Sequence, residues 1–201
     1  MATLFLTSTG LTSNPVREAF LREVGPDRTK HIVIVPTAAS DGKDNKYAKL
    51  AEQQLRNSGF EHISFLDIAT EPIDMLATAD IIYVTGGNTF TLLHAVRTSG
   101  ADTILLARLT SPRIIYIGVS AGSILLTPTV RLAAEVEPDV NEPNITDFKG
   151  LSVFASEIYP HYTKNIESEL SAYEHKYDVE VVRINNDQAL LVKGDIISRI
   201  G

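Results

Sequence analysis

The sequence predicts an α/β protein: a three-layer α/β/α arrangement around a mostly parallel central sheet. Two observations carry this. Short runs of nearly continuous β-branched and apolar residues recur along the chain, and segments of helical character separate them for most of its length. Strands that are apolar on both sides need cover on both faces, which intervening helices supply.

In chain order, Thr3–Thr7 and His31–Pro36 read as strands, with a helix at Pro15–Val24 between them. The next helix is Tyr47–Asn57, stopped before Ser58-Gly59, a turn-forming pair. Ile63–Leu66, Ile81–Thr85 and Arg113–Ile117 supply further strands, with helices at Phe90–Arg97 and Asp102–Leu109. The last third changes character. Asn165 can cap a helix running to about Tyr173, followed by strands at Val179–Ile184, Ala189–Val192 and Ile196–Ile200. No repeat, low-complexity segment or linker interrupts the pattern, so residues 1–201 are expected to form one domain.

Bulk properties exclude several function classes. A net charge of -7 without a basic run argues against a nucleic-acid partner. No apolar stretch approaches the roughly 20 residues of a membrane span. Residues 1–11 lack the basic region and cleavage site of a signal peptide, so a cytoplasmic location is expected. The chain has no cysteine, which rules out disulfides, thiolate metal sites and a cysteine nucleophile. Covalent catalysis would have to use oxygen or nitrogen.

One stretch breaks its own pattern. In "YIGVSAGSILL" an apolar run enters Gly118-Val119-Ser120-Ala121-Gly122, then an apolar stripe resumes. The five residues fit a sharp strand-to-helix turn with a nucleophile at its apex. The glycines let strand and helix approach closely, and free N–H groups at the helix start favour developing negative charge. An ordinary helix-capping Ser/Gly turn would have the same composition.

A second stretch, "VTGGNTF", ends a strand at Thr85 and continues through Gly86-Gly87 to a capping Asn88 or Thr89. An N–H of Gly86 or Gly87, with that of Ala121, can form an oxyanion hole. Of five histidines, His31 and His62 begin strands, His94 lies in a helical pattern and His175 in a charged stretch. His161 instead emerges directly after Ile158-Tyr159-Pro160 and is the candidate base.

Together, "GGNTF", "YIGVSAGSILLTPTVR" and "YPH" resemble the family of dipeptidase E (aspartyl dipeptidase) and cyanophycinase, serine peptidases on a class I glutamine amidotransferase-like fold. The resemblance implies Ser120 as nucleophile, His161 as base, and Gly87 with Ala121 as oxyanion donors. It further implies Gly86, Asn88 and Arg131 as substrate contacts, a small peptide as substrate, and no metal or organic cofactor. A second copy of the chain is left open as a partner. Glu135 falls where dipeptidase E carries its acid, so it is the expected third triad member, with Glu157 and Asp187 as rivals.

In dipeptidase E, arginine after the catalytic histidine is expected to read an acidic side chain. Here "YTKNIESELSAYEHKYD" offers only Lys164 and Lys176 as strong cations, and Arg131 is expected to pair with Glu135. No strong preference for an amino-terminal aspartate is therefore expected. Two rivals remain: an esterase of α/β-hydrolase type, which usually carries a His-Gly-Gly oxyanion loop absent here, and a binding protein that has lost turnover.

Overall fold

Apolar strands that alternate their side chains between two helical layers build the centre of the molecule, described over residues 1–201 by a computed structural model. The strands are β1 (Thr3–Thr7), β2 (Ile32–Val35), β3 (Ile63–Phe65), β4 (Ile81–Val84), β5 (Ile115–Val119), β8 (Ala189–Lys193) and β9 (Ile196–Ile200), in the order β3-β2-β4-β5-β1-β8-β9. The first five are mutually parallel. The hairpin β8–β9 adds antiparallel to β1, so the sheet is mostly parallel and flanked by helices.

The period-two pattern explains the layers. On one face Phe5, Ile34, Tyr83 and Ile117 pack against Val16 and Phe20 of α1 (Asn14–Val24) and Leu55 of α2 (Lys46–Asn57). Phe5 and Phe20 meet edge to face, centroids 5.9 Å apart. On the other face Leu4, Leu6, Val33, Val35 and Tyr116 join the buried residues of α4 (Thr89–Ser99) and α5 (Ala101–Leu109). A fully buried Phe or Leu contributes about 1.5–3 kcal/mol, so charge placed at these positions would unfold the layer.

The structure differs from expectation in four places. Strand β5 runs on to Val119, carrying the strand up to Ser120 itself. The C-terminal helix α8 spans Glu167–Tyr177, after a 3₁₀ turn at Lys164–Ile166, so Asn165 is not its cap. Two four-residue helices, α3 (Met75–Thr78) and α7 (Leu132–Glu135), are too short to show a hydrophobic period. Finally, β7 (Val181–Arg183) stands outside the central sheet. It pairs in parallel with β6 (Glu157–Tyr159), and the two-stranded unit delivers two loops to the same end of the molecule.

Candidate active site

A cavity of about 790 Å³ opens beyond the carboxyl ends of β1, β2, β4 and β5, where an open parallel sheet places its sites. Its lining includes Ser8, Ala38, Gly86, Gly87, Asn88, Ser120, His161 and Asn186. Six segments from distant parts of the sequence thus meet.

Ser120 caps α6 (Ala121–Ile124) with φ 49° and ψ -108°, a backbone conformation that L residues rarely adopt. Such a conformation costs roughly 1–3 kcal/mol and persists only where neighbours overdetermine it. Here they do. The Ser120 N–H donates to the Thr7 carbonyl at 2.9 Å, and the Thr7 hydroxyl donates to the Gly118 carbonyl at 2.8 Å. Buried Ser123 Oγ accepts the Thr7 N–H and reaches the Thr7 and Gly118 carbonyls, binding β1, β5 and α6 together. The two fencing glycines answer to space: a Cβ on Gly118 would lie 2.6 Å from the Gly122 carbonyl oxygen, and one on Gly122 would collide with that of Val84.

The β4 loop lies against this turn. A Cβ on Gly86 would sit 3.1 Å from Ser120 Cβ, and Gly87 has φ 145° with its α-carbon pressed on the Ala38 carbonyl. The N–H groups of Gly86 and Gly87 donate no hydrogen bond within the protein, so both are available to a ligand. The Ala121 N–H opens α6 and has no intrahelical acceptor. Asn88 serves the scaffold: its Oδ1 caps α4 through the Thr91 N–H, and its Nδ2 donates to the Val140 carbonyl.

His161 follows β6 and is exposed, with φ 58°. Its Nδ1 lies 2.6 Å from Asn186 Oδ1, on the loop after β7. An amide oxygen accepts, so Nδ1 carries the proton and Nε2 is left as the basic nitrogen. A buried serine that the sequence did not flag locks the two loops: the His161 N–H donates to Ser8 Oγ at 3.0 Å, and Ser8 Oγ donates to the Ile184 carbonyl at 3.1 Å. The Tyr162 N–H donates to that same carbonyl. Ser120 and His161 line one cavity without a direct hydrogen bond, a common arrangement before substrate binds.

Glu135 is elsewhere. Its carboxylate accepts from Lys176 Nζ at 2.8 Å and from the Tyr177 hydroxyl, while the Arg131 guanidinium stacks 4.4 Å from the Tyr177 ring centre. Neither Glu135 nor Arg131 lines the cavity, so the structure does not bring the expected triad acid or this expected substrate contact together with Ser120 and His161. Of the rivals, Glu157 is buried with both oxygens engaged, by Thr129 and Tyr173. Asp187 is exposed, one residue beyond the side chain that does meet His161.

Partial burial works to raise the Glu135 pKa, but the hydrogen bonds from Lys176 and Tyr177 prevail and hold it below the usual carboxylate value. A depressed folded pKa stabilises at neutral pH and ceases to do so as pH falls through it. Glu135→Gln is therefore expected to leave turnover within about twofold and lower stability at pH 7 by no more than about 1 kcal/mol, since the pair is partly exposed. Melting curves of mutant and wild type should converge in acid, and a hundredfold loss of kcat would reinstate Glu135 in the site.

Comparison with known proteins places the chain. The profile of peptidase family S51 matches residues 4–200. An uncharacterized peptidase of Listeria monocytogenes is 28% identical over 201 residues, covering 96% of both chains. Peptidase E of Salmonella typhimurium is 30% identical over 131 residues, 65% of this chain and 55% of the other. Among solved structures, a putative peptidase E protein from Listeria monocytogenes superposes with a TM-score of 0.78 at 28% identity, covering 99% of this chain and 98% of that one. With nearly its whole length matched, the chain belongs to peptidase family S51.

Proposed function

We propose that this S51 protein is a cytoplasmic single-domain serine peptidase that cleaves small peptides through an acyl-enzyme, with Ser120, His161 and Asn186 as its catalytic set. The observation that carries the reading is the shared cavity. It combines a serine on a strained turn, an imidazole whose Nδ1 proton is committed to Asn186, and unpartnered N–H groups at Gly86 and Gly87. No helix is long and apolar enough to cross a membrane.

Chemistry follows from these groups. Ser120 Oγ bonds to the peptide carbonyl carbon as its proton passes to His161 Nε2. The carbonyl oxygen becomes an oxyanion held by backbone N–H groups of the β4 loop and Ala121. The C–N bond breaks, Nε2 protonates the departing amine, and the acyl group stays on Oγ. Water then adds to the ester carbon, giving a proton to Nε2. Nε2 returns that proton to Oγ as the C–O bond to serine breaks.

Asn186 orients the imidazole but, unlike a carboxylate, adds no charge to stabilise its cation. Asn186→Ala should lower kcat on a dipeptide by about 10- to 100-fold, roughly 1.4–2.7 kcal/mol, while Asn186→Asp should retain turnover. Equal loss in both variants would remove Asn186 from the site. Labelling of Ser120 by a fluorophosphonate probe tests the nucleophile, and matched ester and amide substrates separate peptidase from esterase. A protein that takes the probe but hydrolyses only esters would overturn the peptidase reading.

A further inference from the structure

The cavity has a second wall with no part in the chemistry above. Helix α2 turns Tyr47, Leu50, Ala51 and Gln54 towards it, the i, i+3, i+4, i+7 spacing of one helical face. Tyr47 is 62% exposed and Leu50 37%, although the helix buries Ala48 and Leu55 completely. Large apolar side chains left in solvent on a cavity wall form a surface for an apolar ligand group.

Charge is equally one-sided. No lysine or arginine lines the cavity, and its one carboxylate is Glu142. Glu142 makes no ion pair, and its side chain accepts no hydrogen bond from the protein. Its loop is nevertheless anchored, by Asn88 Nδ2 on the Val140 carbonyl and by Asp139 accepting the Thr89 N–H at 2.8 Å. Lys46 stacks on the Tyr47 ring at 4.9 Å but is not part of the lining.

A peptide end carries either an ammonium or a carboxylate, and only one has a counter-ion here. We propose that the cavity recognises its substrate by the free amino terminus, with Glu142 as counter-ion and an uncharged, apolar first side chain laid on the Tyr47–Leu50 face. The proposal rests on the reading of Ser120 as the acylating nucleophile. A carboxyl terminus or an acidic first side chain finds no cation in the lining. The chain beyond the scissile bond is therefore unread at its far end, and amides or longer peptides should serve as well as dipeptides.

Competition against fluorophosphonate labelling of Ser120 measures recognition without requiring turnover. Leucinamide should protect at about tenfold lower concentration than N-acetyl-leucinamide or N-acetyl-leucine, the gain of one partly exposed ion pair that becomes desolvated on binding, ~1.4 kcal/mol. In Glu142→Gln that advantage should shrink to within about twofold while labelling without competitor persists. In turnover, Leu-Ala and Leu-Ala-amide should differ by less than about threefold, and Leu-Leu should exceed Asp-Leu. Protection by N-acetyl-leucine as good as by leucinamide, or an amine advantage that survives Glu142→Gln, would overturn the proposal and leave the peptidase reading standing. An Asp-Leu preference lost in Lys46→Gln would assign side-chain reading to Lys46 instead. Failure of Ser120 to label, with no peptide hydrolysed, would sink both.

Discussion

Ser120→Ala is expected to abolish peptide hydrolysis, by a factor on the order of 10⁴ or more in kcat, and to eliminate fluorophosphonate labelling. Neither neighbouring serine can take its place. Ser8 lines the cavity but is buried with its oxygen committed between His161 and Ile184, and Ser123 is enclosed between β1 and β5. The fold should survive, because the Ser120 contacts that hold the turn are made by its backbone. Ser120→Gly carries a further expectation. At φ 49° and ψ -108° glycine relieves strain that serine and alanine both bear, so the glycine variant should be inactive yet melt above the alanine variant. Relief of about 1 kcal/mol is worth roughly 2–4 °C for a domain of this size. Turnover near wild type by Ser120→Ala would refute the nucleophile.

His161→Gln should cause the second large loss, again several orders of magnitude in kcat. The glutamine amide N–H can still donate to Asn186 Oδ1, but the side chain cannot carry the serine proton to the leaving amine. The His161 N–H bond to Ser8 belongs to the main chain and should persist, so the melting temperature should move little. Labelling of Ser120 should slow in parallel, since the probe also needs an activated oxygen. His94→Gln and His175→Gln are the controls: both lie on exposed helix faces, outside the cavity lining, and should turn over normally. An essential His94 or His175 would displace His161 from the mechanism.

Local pattern suffices for some elements of this chain and fails for others. The five parallel strands were legible because their runs are mostly β-branched and apolar, and α1, α2, α4 and α5 because segments of helical character fill the intervals between those runs. Ser120 was legible because strand, turn and close helix approach all leave their mark within five consecutive residues. The β4 glycines were legible for the same reason. Asn186 was not. It sits in the turn Asn185-Asn186-Asp187, where a triad acid points to a carboxylate, so Asp187, one position away, was a rival to Glu135 and Asn186 drew no notice. Neighbouring turn residues look alike in composition, and only the path of the loop decides which side chain faces the imidazole.

What the amino-acid sequence determined by itself was what is encoded over a few residues: the α/β class, the order of the longer helices and central strands, the serine turn and the identity of the emerging histidine. Tertiary structure alone decided the partners. Ser8, His161 and Asn186 lie 153 and 25 positions apart, and their meeting depends on β6 and β7 pairing in parallel beside β1. Likewise Glu135, plausible by position, is claimed by Lys176 and Tyr177 from α8, 41 and 42 residues further along the chain. Hydrophobic burial is read from spacing along the chain, because period and face are local geometry. A hydrogen bond between distant loops is set by sheet register and strand order, which no local window contains.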